Sequence, residues 1–191
     1  MRGAVTDAIL DATEAVAVES GLEAATISAI AERAGVAVGT LYNYFPDREG
    51  ILSALFVARR AQIAPMIAAA AEATSKLPFE ARVRAFIGQL LAIFEEKQSF
   101  VRLAAMTDQA SIKIKPREST LMTQILQVFE HIMRDGAARK LFPVSRVPAY
   151  ARMLHGALKA LAMWRLSEGQ AMTTDTDLLV DTWLHGIGKA G

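Results

Sequence analysis

Cysteine is absent from the 191 residues, which excludes disulfides and thiolate metal sites. Histidine is scarce. His131, His155 and His185 stand too far apart for metal-ligand spacing, so no metal site is expected. No apolar run approaches the length needed to cross a bilayer, and no basic, apolar, small-residue leader opens the chain. A cytoplasmic protein without membrane contact is expected. Strand-period segments with hairpin signals are missing, as are internal repeats. No glycine-rich phosphate loop or nucleophile motif is present, so neither a cofactor nor an enzymatic activity is expected.

What is present is apolar and helical. Hydrophobic residues make up 52% and charged residues 21%, enough for a sizeable core. Helical spacing recurs throughout, so the fold class expected is all-α. A first helix spans 5–20, with Ile9, Ala12, Ala15 and Val16 inward, and Gly21 ends it. After Phe45-Pro46-Asp47 a new helix starts, and Pro65 predicts a kink or break in its path. Leu77-Pro78 opens a further helix with Val83, Phe86, Ile87, Leu90, Leu91 and Phe94, and others are expected at about 99–110, 117–140, 147–167 and from Asp175 onward.

The stretch from Thr26 to Ile51, TISAIAERAGVAVGTLYNYFPDREGI, carries the functional signal. Thr26 suits an N-cap, and Ile27, Ile30, Ala31 and Ala34 share one helix face. Gly35 sits where the chain must leave that helix with positive φ. In the next segment, Val38 to Phe45, Leu41 and Phe45 fall at i, i+4 and point inward. Gly39, Thr40, Tyr42, Asn43 and Tyr44 are left on the other face. A helix, a glycine corner and a small-residue helix form a helix-turn-helix, whose second helix fits the major groove. Gly39 permits close approach to a base edge, Thr40, Tyr42 and Tyr44 suit phosphates, and Asn43 suits a base.

These residues resemble the DNA-binding motif of the tetracycline-repressor (TetR) family: IAERAGV, then GTLYNYF, then proline and charged residues. Ala37 and Val38 stand where that family often has a capping residue. The resemblance implies a three-helix helix-turn-helix DNA-binding domain at 1–48, then a six-helix ligand-binding and dimerisation domain at 49–191. It implies DNA contacts at Thr26, Ser28, Val38, Gly39, Thr40, Tyr42, Asn43, Tyr44 and Arg48.

For the ligand pocket it implies Phe86, Leu90, Phe94, Phe100, Leu103 and Met106, with Ile125, Phe129 and Met153. Arg102 and His155 would be the polar partners. For a homodimer interface it implies Leu154, Leu158, Leu161 and Trp164 of one helix, with Leu179 and Trp183 of the last. Gly156, Ala157, Ala160, Gly186 and Gly188 would let those helices approach.

The expected function is a DNA-binding transcriptional repressor, released from a palindromic double-stranded operator by a small apolar or amphipathic effector. Charge argues the other way. Net charge is only +1, and eight acids, Asp7, Asp11, Glu14, Glu19, Glu23, Glu32, Asp47 and Glu49, face Arg2, Arg33 and Arg48. That balance favours the alternative of a helical small-molecule-binding or scaffold protein that does not read DNA.

Overall fold

The computed structural model describes residues 2–109 and 121–185, with side chains except those of 2 and 106–109. Gly186 and Gly188, Met106 as a side chain, and the start of the helix expected at 117–140 lie outside the described residues. Among those described, every regular element is helical: α1 (Arg2–Ser20), α2 (Ile27–Ala34), α3 (Val38–Tyr42), α4 (Arg48–Ala73), α5 (Phe79–Glu96), α6 (Gln98–Gln109), α7 (Leu121–Ala138), α8 (Val147–Ser167) and α9 (Thr176–His185). Short 3-10 turns fall at Leu22–Ala24, Val144–Arg146 and Met172–Asp175.

Two compact units result. The first joins the described residues of Met1–Gln62 and Lys97–Arg117, and the second those of Ile63–Glu96 and Glu118–Gly191. This division departs from a boundary at 48/49: the first half of α4 and all of α6 belong with the N-terminal helices. In the first unit Ile9, Leu10 and Ala17 of α1 meet Ile30, Ala31, Leu41 and Phe45. Ile51, Leu52 and Leu55 of α4 and Leu103 of α6 close that core. Phe56 meets Phe100 edge-on at 5.3 Å.

In the second unit α5, α7 and α8 bury Val83, Phe86, Ile87, Leu90, Ile125, Phe129, Ile132, Ala151, Leu154 and Leu158. Ion pairs tie the helix edges. Arg84 of α5 reaches Asp177 and Asp181 of α9, and Arg165 of α8 reaches Asp175. Arg82, itself buried, pairs with Asp135 of α7. Gly136 is required where it stands, because a Cβ there would lie 2.7 Å from Phe79 Cε2.

Pro65 does not break its helix; α4 runs through it for 26 residues. Proline denies a donor to the carbonyl four residues back, at Ala61. Both residues are exposed, so water can satisfy that carbonyl. By length and composition alone, with mean hydropathy 1.3, α4 would reach across a membrane, contrary to the expectation from the sequence. Ile51, Leu52, Leu55, Ile63 and Ile67 of this helix are buried in the protein, while its most apolar window as a whole is 28% buried.

Three helices end in the same way. At Gly35, Lys140 and Gly169 the backbone turns left-handed, with φ of 67°, 62° and 66°. In each case the next N–H donates back to a carbonyl five residues earlier: Val36 to Ala31, Leu141 to Gly136, Gln170 to Arg165. Only Lys140 of the three carries a Cβ into that conformation, which is strained for an L-residue. Lys140→Gly is therefore expected to stabilise the protein by about 1 kcal/mol, after allowing for glycine's greater freedom when unfolded. Thermal denaturation followed by circular dichroism should show a midpoint roughly 2–4 °C higher.

Candidate nucleic-acid interface

The helix-turn-helix is built from backbone chemistry outward. The Thr26 hydroxyl accepts from Ala29 N–H at 3.3 Å and caps α2. The Gly35 corner then redirects the chain, and Ala37 enters α3 in an extended conformation with no side-chain cap. Leu41 and Phe45 are buried, as their spacing predicts. Asp47 Oδ1 accepts from Gly50 N–H at 2.7 Å and opens α4.

On the outer face, Ser28, Val38, Gly39, Tyr42 and Asn43 are exposed and Thr40 is partly so. Tyr42 is the most prominent at 55% exposure. Tyr44 differs from the expectation of two outward tyrosines: it is half-buried and packs on the core beside Phe45. The hydrogen bond from Phe45 N–H to Leu41 at 2.9 Å keeps the backbone winding past Tyr42, which rolls Tyr44 toward the protein.

Arg48 also differs. Its guanidinium donates to Ala25 O at 2.8 Å and Leu22 O at 2.5 Å, satisfying two carbonyls where the chain leaves a 3-10 turn. Arg33 forks onto both oxygens of Glu19 at 2.8 and 2.6 Å. That hydrogen bond holds the Glu19 carboxyl below its usual pKa and raises that of Arg33. Burial opposes the charge of Arg59, yet its hydrogen bonds to Glu14 and Asp11 outweigh that and raise its pKa. These arginines are engaged within their own unit, so the outer face of α3 offers neutral donors instead.

The expected ligand region divides between the units. Phe86, Leu90, Phe94, Ile125 and Phe129 are buried in the second. Phe100 and Leu103 are buried in the first, because α6 packs against α1, and Arg102 is exposed there. Met153 is not in an interior at all; it is 62% exposed on α8. His155 is half-buried, with its ring 6.4 Å from that of Phe129. Burial first, and the charge of Lys159 second, hold its pKa below the ordinary histidine value.

Of the residues expected at a dimer interface, Leu154 and Leu158 are fully buried in their own unit. Leu161, Leu179 and Trp183 are half-buried, and Trp183 meets Tyr150 edge-on at 6.1 Å. Trp164 is 52% exposed. The outward phase of α8 is Met153, Gly156, Ala157, Ala160 and Trp164, and Leu178 of α9 is 59% exposed. Reading α8 at 3.6 residues per turn from Leu154 and Leu158 would have found that face.

Replacing Arg48 with methionine takes its donor from the Ala25 carbonyl and leaves the Leu22 carbonyl with the Ala25 N–H in place of two donors. Urea unfolding of Arg48→Met is expected to show a loss of about 1–3 kcal/mol. An unchanged midpoint would mean that its bonds to Leu22 and Ala25 do not hold the motif.

Comparison with known proteins agrees with this geometry. Residues 9–55 match the family of bacterial regulatory proteins named tetR. The HTH-type transcriptional repressor KstR of Mycolicibacterium smegmatis is 59% identical over 44 residues, 23% of this chain and 22% of that protein. The match therefore spans about a fifth of that relative's length. The fatty acid metabolism regulator protein of Bacillus subtilis is 26% identical over 137 residues, 67% of this chain and 66% of that one. The crystal structure of the transcriptional regulator FadR from Bacillus subtilis, in complex with stearoyl-CoA, superposes with a TM-score of 0.78. It covers 95% of this chain and 98% of that one at 19% identity, a likeness of fold. Through residues 9–55, which match the tetR family of bacterial regulatory proteins, the chain is TetR-like, and an all-α fold stands behind that segment.

Proposed function

We propose that the protein is a DNA-binding transcriptional repressor that a small apolar or amphipathic ligand releases from a palindromic operator. The observation that carries this reading is Gly39. It lies in α3 without a positive φ, and a Cβ added there would meet nothing within 4 Å. The protein's own packing gives no reason for glycine, which weakens a helix by roughly 0.5–1 kcal/mol relative to alanine. Close approach of something outside supplies the reason, and Thr40, Tyr42 and Asn43 around it carry donors suited to phosphate and base.

The ligand follows from the second unit's apolar interior and from the relative bound to stearoyl-CoA. A ligand shifts DNA affinity only by binding one state better than the other. A homodimer follows from the exposed apolar face of α8 with Leu178, since such a patch on a monomer calls for cover. The engagement of Arg33 and Arg48 within the unit favours the second reading, a helical binding protein that does not read DNA. A gel shift on random duplex at low salt separates the two, because the first reading requires some non-specific affinity.

Gly39→Ala tests the interface directly. Unfolding should show a gain of about 0.5–1 kcal/mol, while affinity for a selected operator falls roughly tenfold or more. A stabilised protein with undiminished affinity would remove α3 from the DNA. For the dimer, Trp164→Glu places a charge in the α8 seam. Sedimentation should then report monomers where the parent protein gives dimers.

A further inference from the structure

One buried polar atom of the second unit has no partner that the fold explains. His155 Nε2 is shielded from solvent and has no hydrogen-bond partner among the described residues. Its ring lies 6.4 Å from that of Phe129, which meets Phe86 edge-on at 5.5 Å. Phe129 and Phe86 are fully buried, so the side of the imidazole that faces them is an apolar wall. Buried polar groups are nearly always paired, and an orphan in such a wall needs an explanation. Packing supplies none, since phenylalanine or leucine would fill the same space without the unsatisfied nitrogen.

We infer that His155 Nε2 is the hydrogen-bonding point for the ligand of this unit, which is an apolar compound carrying one uncharged polar group. This rests on the ligand-binding reading above and specifies its chemistry. The imidazole is held neutral by burial and by the charge of Lys159, so it offers a single hydrogen bond and no counter-charge. An ionised group seated against the same wall would lose its hydration with nothing to replace it. A hydroxyl or an ester-type carbonyl would gain a partner where water is excluded, while its chain lies along Phe86 and Phe129.

The test uses the full chain and three probes of equal chain length: 1-decanol, decanoate and 1-chlorodecane. Calorimetry and thermal shift should show 1-decanol binding at least tenfold more tightly than the other two. His155→Phe, which keeps a ring but removes the nitrogen, should erase that preference and leave 1-chlorodecane binding unchanged. His155→Gln, which keeps a hydrogen-bonding group, should retain part of it. Nitrogen NMR of the labelled protein should show the His155 Nε2 resonance moving with 1-decanol and not with 1-chlorodecane. Equal binding of 1-decanol by the parent and His155→Phe, or preference for decanoate, would overturn the role of His155 alone. No response of the parent protein to any of the three would overturn the ligand-binding reading itself, and the inference with it.

Discussion

The burial of Leu41 and Phe45 is the constraint on which the rest depends. A helix of five residues, Val38–Tyr42, has too few internal hydrogen bonds to persist alone. It has no capping side chain at Ala37 either. Its position is therefore set by two side chains anchored among Ile9, Ile30, Ile51 and Leu55. Because those anchors are four residues apart, they share one helix face, and the residues on the opposite phase are held outward without further support. Gly39, Thr40, Tyr42 and Asn43 form an interface as a consequence of what Leu41 and Phe45 bury.

The charges of the first unit serve the fold before they serve a partner. Arg48 holds two buried-segment carbonyls, Arg33 is forked onto Glu19, and Arg59 bridges Asp11 and Glu14 of α1 to α4. Such engagement turns an acidic stretch into a rigid one. It also leaves α3 with neutral donors, so recognition of a duplex would rest on hydrogen bonding and shape more than on long-range attraction.

In the second unit the helices are fixed by a different means. Apolar interlock between α7 and α8 sets their faces, and ion pairs at the edges hold α9 and the segment before it. Arg165 combines a pair with Asp175 and a place over the Trp164 ring at 4.5 Å. With Leu154 and Leu158 committed inward, Met153 and Trp164 have no inward position left, and the α8 face they form is the surface that remains apolar.

Helix positions, the Gly35 corner and the inward phase of Leu41 and Phe45 were legible in the sequence, because each follows from the local rules of spacing and φ. The limits of α8 and the Asp47 cap were legible for the same reason. Other placements were not. Tyr44 turns toward the core, Arg48 reaches back over twenty residues, α6 joins α1, and Met153 faces outward. Periodicity tells which residues share a face but not what that face meets. The partner of a long side chain, and the neighbour of a helix, depend on segments distant in the chain, and only the packing of the whole decides them.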